Sequence, residues 1–298
     1  MPSTHHTAIG FSLPSSTIIL GALVLVSFIY VRGWPQVLRV SASAIAGWRR
    51  ASFLMGMSLV WTALASPLAA YDHDLLTVHM IQHLLLMTFA PALILLGEPL
   101  LSLWNGLPRF GRNVLGPMFQ RPFVRRSARI LSQPALCWTV SALTLLGWHV
   151  PGLFTLGMHS ELWHVVEQAS FLGAGFLFWW PVVRPWPSAS AWPQWSTLLY
   201  LFLATLPCDL LSGFLVFSDR VAYPVYFSTP RHFGFSVLED QQCAAALMWT
   251  CVTLVYLVPA AIISTRLLAP QTFNGHDLTR PEPDGGAPQI DSQSLGAV

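Results

Sequence analysis

Long apolar runs separated by short polar breaks dominate this chain. Runs of about 20 residues, enough to cross a bilayer as helix, fall at roughly 11–31, 52–70, 75–96, 135–156, 162–183, 197–217 and 243–265. The pattern predicts an all-α polytopic membrane protein: a bundle of seven transmembrane helices forming one domain over residues 1–269. The second and third runs join through an acidic turn, Tyr71-Asp72-His73-Asp74, and the fourth and fifth through Met158-His159-Ser160-Glu161. From about residue 270 the chain turns to Pro, Gly, Asp and Ser without apolar periodicity, which predicts a disordered tail over 270–298.

Composition strengthens this reading. The chain is 54% hydrophobic and 9% charged, against about 25% charged in an average soluble domain. Every basic residue is arginine. A retinal Schiff base needs a lysine amine, so a rhodopsin-like pigment is excluded. Thirteen of the fifteen arginines fall in one set of loops, with six of them between 109 and 129; only Arg220 and Arg231 lie on the other side. The positive-inside rule then predicts the N-terminus outside and the C-terminus in the cytoplasm of a bacterial inner membrane. No basic residue precedes the first run, so a cleaved signal peptide is not expected. Cys137, Cys208, Cys243 and Cys251 show no CxxC spacing and read as packing residues. Trp179, Trp180, Trp186, Trp192 and Trp195 read as interfacial belt anchors.

The polar exceptions inside the runs carry the chemistry. His79 and His83 are four residues apart and share one helix face, about 6 and 12 Å below the outer end of the third run. His149 sits near the outer end of the fourth run, with Pro151 two residues on to loosen the helix and leave a carbonyl or the imidazole free to turn inward. The fifth run opens with His164 and Glu167, an i,i+3 pair on one face. Ionisable groups in lipid are costly and mark functional sites, and imidazole is the commonest protein metal ligand. His79, His83, His149, His164 and Glu167 are therefore the candidate metal ligands. Behind them stand His73 and His159 in the outer turns, Met87 on the His79/His83 stripe, Asp209 in the sixth run, and Asp240, as a helix cap, an orienter of a ligating imidazole or a ligand. The thioethers of Met80, Met87, Met158 and Met248 lie near the same level, and imidazole with thioether favours copper, especially Cu(I).

Several segments resemble, in order, the membrane-integral cytochrome c oxidase assembly factor CtaG family. They are His79-x-x-Gln82-His83 with Pro91 to Pro99, Trp148-His149-Val150-Pro151-Gly152, Phe178-Trp179-Trp180-Pro181, Tyr223-Pro224-Val225-Tyr226, and Asp240-Gln241 with Met248-Trp249. The resemblance covers about residues 50 to 265. It implies a seven-helix, non-enzymatic factor that helps cytochrome oxidase mature, delivering copper to the binuclear centre. Its expected partners are the oxidase subunit carrying that centre, the lipid bilayer and a soluble periplasmic copper donor, with no nucleic acid. Two departures stand out. Gln168 occupies the place of a second histidine in the His-x-x-Glu-His pattern, and Cys243-Ala244-Ala245 replaces a glycine after Asp-Gln, which makes Cys243 a possible thiol ligand. The alternatives are a haem-binding membrane oxidoreductase of cytochrome b type, since histidines on facing helices also suit haem, and a transporter. An intramembrane zinc hydrolase is disfavoured because position 80 is Met and no HExxH exists.

Overall fold

The third apolar run becomes the axis of the molecule. In this computed structural model, which describes residues 13–38, 46–185, 192–230 and 234–269, the run forms α3 (Leu76–His83), one π-helical stretch (Leu84–Phe89) and α4 (Ala90–Leu96) without a break. It is also the most enclosed: 72% of its apolar window is buried, against 11% for the first run. The π-helical stretch has a local cause. Pro91 has no N–H to offer the Met87 carbonyl and its ring crowds that turn; widening the turn absorbs the ring, and the Ala90 N–H reaches back to Leu85. The freed Met87 backbone is where α10 (Glu161–Val183) comes closest, because a Cβ at Gly175 would lie 2.5 Å from the Met87 carbonyl oxygen. Small residues allow such backbone approach in membrane helices.

The remaining helices surround this axis. α1 (Leu13–Leu38) packs on α5 (Pro99–Gly106), where Gly33 and Gly106 bring the two backbones into contact; α2 (Ala46–Ala65) lies along α4. Glu98, between α4 and α5, adopts a left-handed conformation (φ 48°) and pairs with Arg49 at 2.5 Å, while the Tyr30 hydroxyl donates to the Gly97 carbonyl. α6 (Arg109–Gln120) and α7 (Pro122–Leu131) have no buried residue. They set Arg109, Arg112, Arg121, Arg125, Arg126 and Arg129 among exposed Phe110, Met118, Phe119 and Phe123, the composition of helices lying in a membrane interface. α8 (Pro134–Trp148) and α9 (Pro151–His159) follow, then α10, α11 (Gln194–Val216) and α12 (Val237–Leu268). No strand occurs among the described residues.

Among the described residues each of the seven apolar runs is largely helical, and five helices alone are long and apolar enough to cross a membrane, or six if the pair α7–α8, bent by 68°, counts as one span. The differences from seven uniform spans have physical causes. The fourth run breaks at His149-Val150, because Pro151 starts a new helix at its favoured first position. The fifth run is a single 23-residue helix whose hydropathy is lowered by His164, Glu167 and Gln168. Trp179 departs from the expected belt: it is buried against Phe178 and Tyr256. The predicted tail at 270–298, the end histidines His5, His6 and His276, and His232, Arg231 and Trp186 lie outside the described residues.

Two apolar clusters meet at the axial run. One holds Met80, Leu84, Phe154, Phe178, Tyr226 and Met248; the other holds Tyr30, Phe53, Leu86, Met87 and Phe171. The polar residues described next are embedded between side chains of both.

Candidate metal centre

Helical spacing puts His79 and His83 on one side of α3, and both are buried, with their Nε2 atoms 2.7 Å apart. α10 supplies the third group. Glu167, 1% exposed, points its Oε1 at both imidazoles, 3.5 Å from His79 Nε2 and 3.4 Å from His83 Nε2. The three ligand atoms lie within 4.8 Å of one another. Ligands about 2.1 Å from a tetrahedral ion stand roughly 3.4 Å apart, so both carboxylate–imidazole separations already suit a shared ion. The imidazole pair is closer than that and forms a hydrogen bond, one Nε2–H donating to the other ring. An ion would have to replace that shared hydrogen and spread the rings by roughly 0.7 Å.

Three atoms here are buried without a hydrogen-bond partner: Glu167 Oε2, His79 Nδ1 and His83 Nδ1. Space for that Oε2 depends on Gly157 of α9, where a Cβ would lie 2.7 Å from it. A ligating imidazole usually donates its other N–H to a carbonyl or carboxylate, which fixes its orientation. His79 and His83 lack that brace.

His149 has the brace. Its Nδ1 lies 2.7 Å from the Leu145 carbonyl oxygen, so Nδ1 carries the hydrogen and Nε2 presents a lone pair. That lone pair faces the Met80 sulfur at 3.3 Å, and the ring centroid is 6.3 Å from that of His83. Tyr223 donates to the His149 carbonyl, which the helix break has left free. His149 thus adjoins the three-residue group without belonging to it. Below it, Met80, His83, Met87, Cys208 and Met248 help line a cavity of about 40 Å³.

A second group forms about one turn nearer the N-terminal end of α3. Asp72, in the turn before α3, is 3% exposed; its Oδ1 lies 3.7 Å from His73 Nε2 and its Oδ2 3.5 Å from His164 Nε2. Burial pushes the Asp72 carboxyl up, against the opposing pull of His73 and His79 beside it. The Gln168 amide donates to His164 Nε2 at 3.2 Å, and the His164 ring lies nearly parallel to that of His79, 5.8 Å away. His164 and Glu167 share a face of α10 as their spacing predicts, yet they serve different groups.

Other candidates go elsewhere. His159 is exposed, and its Nδ1 donates to the Thr155 carbonyl. Cys243 is exposed, so the thiol expected from its position after Asp-Gln does not reach the centre. Asp209 joins neither group, although its Oδ1 is buried without a partner. Met87 lines the cavity rather than the imidazole pair. Asp240 is a cap, but of α3 and not of its own helix: its Oδ2 accepts the Leu76 N–H, and its Oδ1 accepts the Thr77 N–H and hydroxyl. Gln241 braces the loop before α12, accepting from the Ala222 N–H and donating to the Leu215 and Arg220 carbonyls. Reading the sequence missed Asp72 as a site residue. Its signal was an acid within one turn of a buried histidine helix, beside His73.

The chain is 24% identical over 256 residues to an uncharacterized protein of Mycobacterium bovis, covering 83% of this chain and 38% of that protein. It is 24% identical over 265 residues to an uncharacterized protein of Mycobacterium leprae, covering 87% and 39%. The chain therefore spans about two fifths of the length of the curated relatives it matches. No solved structure matches it. The family model of the cytochrome c oxidase caa3 assembly factor matches residues 28–269, across the axial run, both polar groups and the Asp240 cap, and the chain belongs to that family.

Proposed function

We propose that this chain assists cytochrome c oxidase assembly by holding copper, as cargo, on His79, His83 and Glu167 and passing it to the oxidase subunit that carries the binuclear centre. The observation that carries the reading is the convergence of two imidazoles and one carboxylate, all buried, on a common point. Such a cluster in an apolar span has a high cost unless a proton or a metal ion offsets it. The soft atoms adjoining it favour Cu(I): the His149 lone pair, the thioethers of Met80, Met87 and Met248, and the Cys208 thiol. The unbraced rings of His79 and His83 suit a carrier. No bond-making role is assigned to the chain. In this reading the group lies near the outer face of a bacterial inner membrane, where a soluble periplasmic donor could load it.

Cu(I) titration of the purified protein, in competition with a chromophoric chelator, tests the reading. One tightly held Cu(I) per chain, lost in His79→Ala/His83→Ala, is expected; equal binding by the double variant would sink it. Deleting the gene should lower oxidase copper while the subunit level stays normal. The haem alternative has less support, since the imidazoles touch one another and the adjoining 40 Å³ takes waters rather than a porphyrin.

A further inference from the structure

Asp72 is a buried carboxylate at the outer rim of the bundle; each of its oxygens faces one imidazole, and the Gln82 side chain and the His73 backbone also bond to the carboxylate. Both separations, 3.7 Å to His73 and 3.5 Å to His164, exceed a hydrogen bond, for which 2.7–3.2 Å is usual. Both are close to the roughly 3.4 Å that separates two ligands of one tetrahedral ion. The three ligand atoms again lie within 4.8 Å of one another. We propose that Asp72, His73 and His164 form a second metal site, separate from the inner one, that takes a divalent cation of borderline softness.

The surroundings fit that assignment. The turn bearing Asp72 is tied down from above by Tyr226, which is fully buried and donates to the Asp72 carbonyl oxygen, so the carboxylate is held in place. His73 is 27% exposed at its side chain while His164 and Asp72 are about 5% exposed or less, which gives the site one ligand reachable from solvent and two fixed within. One carboxylate oxygen with two imidazole nitrogens is a donor set for Zn(II) or Cu(II), harder than the sulfur-rich surroundings of the inner group. Gln168 provides a fourth position: its amide already touches His164 Nε2, and a half turn of that amide presents an oxygen instead. The stacking of His164 on His79 makes the two sites immediate neighbours. Binding at the rim does not depend on the copper reading of the inner group.

Zinc per chain, measured in the full-length protein after equilibration with Zn(II) alone and desalting, tests this. Two zinc ions are expected in the native protein, one in Asp72→Asn/His73→Ala, one in His79→Ala/His83→Ala, and none when both pairs are changed. A native protein holding a single zinc that the rim variant keeps and the inner variant loses overturns the second site and leaves the inner one standing. A single zinc lost only in the rim variant upholds the rim site and counts against the inner one. Because the rim variant removes a buried acid and could fail to fold, Gln168→His supplies an independent reading. It adds an imidazole beside His164 and should tighten the weaker zinc by about tenfold or more; unchanged affinity for both ions argues against the site.

Discussion

Asp240 and Leu76 stand 164 residues apart, and Asp240 Oδ2 accepts the Leu76 backbone N–H at 2.8 Å. The same carboxylate takes the Thr77 N–H at 3.1 Å and the Thr77 hydroxyl at 2.6 Å. The residue before α3, Leu75, cannot cap it, so the last helix caps the helix that carries His79 and His83. A carboxylate at a helix N-terminus also complements the helix dipole.

Asp240→Ala should therefore destabilise the protein by about 2–3 kcal/mol, through the lost cap and the stranded buried donors. It should also weaken metal binding although it removes no ligand. Thermal unfolding in detergent and Cu(I) competition measure the two effects. A wild-type copper affinity in a variant of lowered melting temperature would show that the cap does not position the pair.

Gly157 and Glu167 offer a finer probe. A methyl at 157 lands 2.7 Å from Glu167 Oε2, whereas one at Gly152, in the same helix, meets nothing within 4 Å. Gly157→Ala should displace the carboxylate and lower copper affinity at least tenfold with the helices intact. Gly152→Ala should leave binding unchanged and add up to about 1 kcal/mol of stability, as alanine replaces glycine within a helix.

His149 and Met80 aim two lone pairs at each other at 3.3 Å, an arrangement that a soft cation between them would stabilise. His149→Ala should cost about tenfold in Cu(I) affinity, less than His79→Ala. Adding Met80→Leu to His149→Ala should cost little more, since residues serving one ion are not additive. Fully additive losses in the chelator titration would mean that the two act separately.

Membrane orientation can be tested with thiols placed on exposed residues at the two ends of the bundle, in a background where exposed Cys243 is changed to Ser. A membrane-impermeant maleimide should label Glu161→Cys in intact cells, but Arg125→Cys only after permeabilisation. The reverse pattern would place the polar groups on the cytoplasmic side.

How far the sequence predicted this arrangement depended on whether the information was local. Helical spacing placed His79 with His83, and counting depth along the runs brought Glu167 to their level; both hold in the structure. Spacing could not say which neighbour each face of α10 would meet, so His164 and Glu167 were grouped together although they serve different clusters. After Pro151 restarts the helix its phase is set by packing, and His159 turns outward. Asp72 looked like an ordinary turn residue, because two of the side chains packed around it, Tyr226 and His164, come from distant parts of the chain. Asp240 was recognisable as a cap, but its target was not, since a capping motif describes only the helix it begins.

The widened turn at Leu84–Phe89 has a consequence for how the chain tolerates change in length. A π-helical turn holds one residue more than an α-helical path over the same rise. Removing a residue elsewhere in Leu76–Leu96 would rotate everything beyond the cut by about 100°, swinging either the histidines or the face of α4 that packs on α2 out of place. Removing Leu85 would instead let the turn relax to an ordinary helix and keep both flanking faces aligned. The bundle thus carries slack of one residue directly beneath His79 and His83, and a shortened chain should still fold and keep the two imidazoles facing Glu167 only when the deletion is drawn from there.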